Sequence, residues 1–238
     1  MTRKELVQEV QRFGIFKTVQ DLGLRGLNRL AMVRILKGVT IDCVNAACLE
    51  CAKSYEGMFL DRPALTDLVR NRPEYQMSDG FLREAFAKGD ECYGILDGPV
   101  LAAYGWYSNR PTAIDAPGVT LHFNPRYIYM YKGFTHVKYR GERLHAVAMT
   151  RALAAYLAKG YAGLVSYVEW NNFSSLKSCY RMGYRDFGNL YLVRLLDRYF
   201  VDASRSCAQY GFHLEPDGMK ADEHSPPAPL GAQADQSR

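Results

Sequence analysis

Between Thr135 and Tyr184 the chain passes through a basic turn (Lys138, Tyr139, Arg140, Gly141), a long alanine-rich helix and an apolar strand. A second helix then opens at Asn172, carries Ser175 three residues on, and ends at Gly183-Tyr184. No other stretch constrains the fold as tightly. Glu142–Lys159 has the apolar stripe of a helix and stops at Gly160. Ala162–Val168 is apolar but for Ser166, as a buried strand is, and Asn172–Met182 returns to helical spacing. With a strand ending near Thr135, the piece reads β-α-β-α, and a ligand slot is expected at the strand ends. The turn opens a helix there, where free amides and the positive dipole end favour an anion such as a diphosphate. An ordinary strand–helix connection is the plainer reading of the same turn.

The rest of the chain predicts a sheet around this unit. Cys92–Leu96 and Val100–Tyr107 flank Asp97-Gly98, a dipeptide suited to a hairpin turn. Val119–Phe123, the aromatic run Tyr127–Tyr131, Met32–Ile41 and a last strand at Asn189–Leu196 complete the strands expected. Helices are expected at 3–13, 16–30, 46–55, 62–69 and 80–87. A meander followed by β-α-β-α-β is an α/β layered fold with a mixed sheet. From Pro216 the composition turns to Pro, Ala, Asp, Gln and Ser, and reads as a disordered tail. The expected division is a basic helical extension at 1–31, a catalytic or binding domain at 32–215, and a tail at 216–238.

This order resembles the acyl-CoA N-acyltransferases of the GNAT superfamily, over roughly residues 91–196. Their diphosphate turn reads Arg/Gln-x-x-Gly-x-Gly/Ala, and their next helix carries Asn-x-x-Ser. Arg140-Gly141-Glu142-Arg143-Leu144-His145 matches the common tyrosine-arginine-glycine form at Tyr139, Arg140 and Gly141. It places Arg143 and His145 where the family prefers a glycine and a small residue. The resemblance implies a mixed, mostly antiparallel sheet flanked by helices, with extra N-terminal helices here. It also implies acetyl-CoA or another acyl-CoA as co-substrate, with no metal. The strand through Phe134, Thr135, His136 and Val137 would meet the pantetheine arm. Arg140, Gly141, Glu142, Arg143, Leu144 and His145 would meet the diphosphate, and Asn172 and Ser175 would close the site. Arg143 would either point outward or offer its guanidinium to a phosphate.

Acyl transfer to an amine needs a base for the amine, polarisation of the thioester carbonyl and a proton for the leaving thiolate. Glu169, at the end of the strand before Asn172, stands where the strands are expected to part and is the candidate base; a surface charge is its plainer role. The family's tyrosine acid lies four residues before the helix-ending glycine, which here is Cys179. Tyr180 sits one position on, roughly 100° around the helix. It is the candidate acid, and its place on the Leu176–Gly183 stripe suits a core role equally. His136 and His145 flank the turn as phosphate contacts or surface groups. Trp106, Tyr107, Tyr127, Tyr129 and Tyr131 would wall an acceptor pocket, or simply fill the sheet.

Composition narrows the partners. The net charge of +5 is too small to argue for nucleic acid. Residues 1–37 hold eight Lys/Arg against three Asp/Glu, a patch that suits CoA, an acidic acyl-carrier protein, anionic lipid, or plain solvation. No secretory leader or membrane span is expected, since Arg151 and Lys159 interrupt the most apolar stretch. Six scattered cysteines suit a reducing, cytoplasmic setting. Cys48-x-x-Cys51 has metal-like spacing but no partner pair, and reads as two cysteines near a helix face. The expected function is N-acyl transfer, most simply acetyl, to a small-molecule amine or amino acid. The alternatives are an N-acyl amino acid synthase-like enzyme with long-chain acyl-carrier protein as donor, and a catalytically inactive acyl-CoA-binding module.

Overall fold

The computed structural model describes residues 14, 15, 17–19, 32–51, 55–195 and 198–217. Apart from those few positions, the helices expected within 1–31 lie outside the described residues, as does the tail beyond Asp217. The chain enters the sheet at its middle. β1 (Met32–Ile41) is flanked on one side by β8 (Gly163–Glu169) and on the other by β9 (Arg185–Leu195), antiparallel to both. Outside β9 lies β10 (Arg198–Ala203). On the far side of β8 come β7 (Tyr127–Thr135), β4 (Val100–Ser108), β3 (Glu91–Asp97) and β2 (Glu56–Leu60). The eight strands run in the order β10-β9-β1-β8-β7-β4-β3-β2, and the β7–β8 pair is parallel while its neighbours are antiparallel. A mixed, mostly antiparallel sheet flanked by helices is the architecture.

Three packed regions cover this sheet. Helix α3 (Leu144–Ala158) lies on one face, its Leu144, Val147, Ala148 and Leu153 buried against Val39, Ile41, Ile128 and Leu164. The alanines on its inner side bring it close to the strands. On the opposite face, a small sheet of β5 (Thr112–Ala113), β6 (Val119–His122) and β11 (His213–Pro216) covers Leu36, Tyr129, Val165 and Leu190. Beside it, α1 (Arg62–Val69) and α2 (Asp79–Lys88) bury Leu65 and Leu82 against Tyr104 and Trp106. Each begins with a side-chain cap: Asp61 accepts from the Ala64 amide and Ser78 from the Phe81 amide. With both faces covered, β8 needs no alternation and opens Gly-Leu-Val.

Several expectations are corrected. Of the helix anticipated at 46–55, the described residues form a 3₁₀ turn at Ala46–Cys48, residues 52–54 lie outside the described residues, and edge strand β2 begins at Glu56. Asn189–Leu196 is not the last strand, because β10 and β11 follow and Pro216 still pairs with Val119. The tyrosine wall is mostly interior: Trp106, Tyr107 and Tyr129 are buried, and Tyr127 packs on Tyr210. All six cysteines are free. Among the described residues no helix is long and apolar enough to cross a membrane.

The junction of β8 with β1 depends on Gly163. Its φ is +148°, and a Cβ there would lie 2.4 Å from the Ile41 carbonyl oxygen, a backbone atom that cannot swing aside. Gly163→Ala is expected to destabilise the fold by about 1–3 kcal/mol, lowering Tm by several degrees. Urea and thermal unfolding of the two proteins would check this; equal midpoints would contradict it.

Candidate functional site

Strands β7 and β8 pair at Tyr127↔Gly163, Ile128↔Leu164 and Tyr129↔Val165. Beyond these pairs the Ser166 hydroxyl donates to the Met130 carbonyl at 2.7 Å, and the strands part. The cause lies in β7 itself. Trp106 and Tyr107 of β4 face Lys132 and Met130, so Tyr131 is an extra residue that bulges β7. A bulge bends and twists its strand, and β7 follows β4 through to Thr135 rather than β8. A cleft of about 400 Å³ opens in the fork. From β7 it is lined by Tyr131, Gly133, Phe134 and Thr135, and from β8 by Ser166, Tyr167 and Glu169. His145 of α3 closes one end. Asn172, Ser175 and Cys179 close the other, the last two on α4 (Phe173–Met182). Two roomier grooves, about 550 Å³ along Val69–Asp79 and about 460 Å³ around Arg185–Tyr210, lie away from the fork. Neither offers parted strand backbone, so volume does not decide the matter.

The helix starts differ. Asn172 accepts from the Ser175 amide at 3.1 Å and from the Ser174 hydroxyl at 3.0 Å, so α4 is capped by its own residue. α3 has no side-chain cap and no acidic residue in its first turn. It is preceded by Gly141 at φ +93° and Arg143 at φ +60°. Position 143 thus keeps the left-handed backbone that a glycine adopts without strain, although an arginine occupies it. Its guanidinium turns back to the Cys48 sulfur at 3.3 Å. That turn presents amides at a helix start, which suits an anion through main chain rather than side chain.

The remaining candidates separate into those inside the cleft and those outside. Phe134, Thr135, His145, Glu169, Asn172 and Ser175 line it. Leu144 is buried in the core, Val137 is exposed, and His136 accepts from the Lys138 amide. Glu142 accepts from the Tyr55 hydroxyl at 2.5 Å, and Arg140 is exposed. Tyr180 does not reach the cleft: its ring is 45% exposed and its hydroxyl donates to Asp186 at 2.8 Å. Burial and the Asp186 carboxylate both hold that hydroxyl in its protonated form. One position earlier, Cys179 faces the cleft, and burial first, with the Asp186 charge second, pushes its thiol up to about 11. The core stripe expected for Tyr180 belongs to Leu176 and Met182.

Glu169 stands at the fork and is held by Arg34 of β1. The Arg34 Nε donates to Glu169 Oε1 at 2.6 Å, its Nη2 meets the same oxygen, and its Nη1 reaches the Asp115 carbonyl. Arg34 is the site residue missed in the sequence, where it counts only as one of the basic residues before Lys37. Gly133, Ser166 and Tyr167 carry no motif that would have picked them out. His145 fills the space beside Gly133, where a Cβ would lie 2.5 Å from its Cε1. Burial lowers the pKa of His145 and keeps the imidazole neutral.

No family model and no curated protein matches the chain. Solved structures do. A Drosophila protein aligns at 15% identity and TM-score 0.48, over 78% of this chain and 58% of its own. An acetyltransferase of the GNAT family from Colwellia psychrerythraea aligns at 13% identity and TM-score 0.47, over 74% and 61%. A Novosphingobium aromaticivorans protein assigned to GNAT acetyltransferases aligns at 17% and 0.42, over 78% and 66%. The chain thus spans less than two thirds of each of these proteins. Likeness at this level assigns neither substrate nor residue roles.

Two measurements check this geometry. Arg143→Gly removes a left-handed arginine that costs about 1–2 kcal/mol and loses one thiol contact; Tm is expected to rise by roughly 2–4 °C, and a fall would contradict it. For His145 the sign follows from linkage. Its folded pKa lies below the ordinary value of about 6.5, so the unfolded chain binds the proton more readily. Stability is therefore lost as pH falls below about 6.5. His145→Gln is expected to lose less stability than wild type between pH 7.5 and 5, by urea unfolding. His122, lowered in the same direction, leaves a residual slope in both proteins.

Proposed function

We propose that this chain is an acyl-CoA-dependent N-acyltransferase of the GNAT kind, moving an acyl group, most simply acetyl, from the thioester to an amine. The observation that carries this reading is the fork: parallel strands parted from Met130 onward, with a carboxylate at the parting and an uncapped helix start at one end. Free main-chain groups along Gly133–Thr135 suit the amides of a pantetheine arm, as an added strand would. The amides preceding and opening α3 suit the diphosphate. The thioester then lies near Tyr131, Ser166 and Glu169. Glu169 accepts a proton from the amine as nitrogen attacks the carbonyl carbon, directly or through one water. The C–N bond forms, the C–S bond breaks, and the electron pair leaves on sulfur.

Cys179 is a poor acid for that sulfur. Burial pushes its thiol up to about 11, so it gives up its proton less readily than an ordinary thiol does. The thiolate therefore takes its proton from solvent. A second reading, a module that binds acyl-CoA without turning it over, is favoured by this lack of an acid and by the Arg34 bond on Glu169. The acceptor belongs to the class of small amines or amino acids.

Thermal unfolding with acetyl-CoA, CoA, long-chain acyl-CoA and acyl-carrier protein separates these readings. At about 100 times Kd, a bound donor is expected to stabilise by about 2.7 kcal/mol. Glu169→Gln should keep that shift while kcat falls about 100-fold or more. A shift without turnover in wild type would leave the binding module. A shift confined to long-chain or carrier-bound donors would transfer the proposal to an N-acyl amino acid synthase-like reaction. No shift with any donor would end it.

A further inference from the structure

The small sheet brings together three side chains that the proposed transfer does not use. His122 of β6 and His213 of β11 are directly opposed in the antiparallel register, their rings stacked with centroids 5.0 Å apart and 15° between planes. Glu215, two residues along β11 and so on the same face, places Oε2 2.8 Å from His122 Nε2. One ligand atom from each of the three lies within 4.8 Å of the others. We propose that His122, His213 and Glu215 form a binding site for a late first-row transition ion, of which Zn²⁺ is the representative, tying β11 to β6.

The hydrogen bonds around the cluster favour this occupant. His213 Nδ1 lies 3.0 Å from the Gly211 carbonyl oxygen. A carbonyl only accepts, so the proton sits on Nδ1 and the Nε2 lone pair is left free. A backbone carbonyl orienting the second ring nitrogen is the usual support of a ligating histidine. His122 Nε2 faces a carboxylate oxygen, so without an ion that nitrogen carries the proton. Binding at that nitrogen takes only the other neutral tautomer, with the proton on Nδ1 and the Nε2 lone pair turned to the ion. Two imidazoles and one carboxylate suit zinc, cobalt, nickel or copper; magnesium and calcium prefer all-oxygen sets. Three protein ligands leave a position open to water or a further ligand. The side chains of His122 and Glu215 are 30% and 46% exposed, so an ion can enter without the sheet opening. The sequence expectation of no metal came from the family resemblance, and spacing along the chain cannot see two histidines this far apart.

The experiment is calorimetric titration of tag-free, chelator-stripped full-length protein with Zn²⁺ in two buffers of different protonation enthalpy. One ion per chain is expected, and His213→Ala should weaken it by about 100-fold. Because His213 is exposed, that variant should match wild-type Tm in chelator, which separates lost binding from lost folding. A Cu²⁺-loaded sample should show nitrogen hyperfine coupling in its electron paramagnetic resonance spectrum, reduced in both His122→Ala and His213→Ala. Zinc binding unchanged in those variants, no binding by about 0.1 mM Zn²⁺, or equal competition by Mg²⁺ would each overturn the proposal.

Discussion

The fork between β7 and β8 is the constraint on which the rest of the site depends. Two parallel strands that stayed paired would consume each other's main-chain groups and leave only side chains to recognise a ligand. Here the β7 bulge at Tyr131 leaves β7 paired with its antiparallel neighbour β4 rather than with β8. The inner edge of β7 beyond Met130 is thereby left facing the cleft. Buried Trp106 of β4 packs against the bulged Tyr131 at 6.5 Å, with Phe81 and Phe86 edge-on to it at 5.1 and 5.3 Å. The aromatic residues that looked like a substrate wall therefore serve the site at one remove, by holding the strand whose bend opens it.

Much of the fold was legible because its signals are local. The helical stripe after Arg143, the apolar strand at Gly163–Glu169 and the Asn172 cap each depend on neighbours a few residues away, and each stands where the spacing puts it. The side chains inside the cleft were less legible. Cys179 and Tyr180 differ by one residue and roughly 100°, and the choice between them depends on which way α4 is rolled. Leu176 and Met182 settle that by burying themselves, which turns Tyr180 outward to Asp186. A pattern that counts apolar residues takes a tyrosine for part of the stripe.

Contacts made by β1 were not legible at all. A strand near the start of the chain that inserts between β8 and β9 is long-range in its whole length, and no local period announces its register. That register sets Leu36 opposite Glu169 and so brings Arg34, two residues earlier on the same face, within reach of the carboxylate. Lys37, from the same basic stretch, pairs with Asp186 at 3.0 Å. Two residues that read as part of a surface patch are thus structural partners of acids on β8 and β9. A charge count has no means of telling a solvated cation from one assigned to a partner by the sheet.

Arg34 has a consequence beyond pairing. Its guanidinium bonds Glu169 at the fork and the Asp115 carbonyl in the segment between β5 and β6. A planar fork of donors can hold two acceptors in fixed relation, which a lysine ammonium cannot do with the same rigidity. The central strand, the acid at the cleft and the small sheet are therefore fastened at one point. Glu169 Oε1 is the oxygen engaged in that bond, which leaves Oε2 outside the Arg34 contacts. Arg34 thus fixes which carboxylate oxygen is left free at the cleft, and the register of the neighbouring strand β1 becomes part of the geometry of the fork.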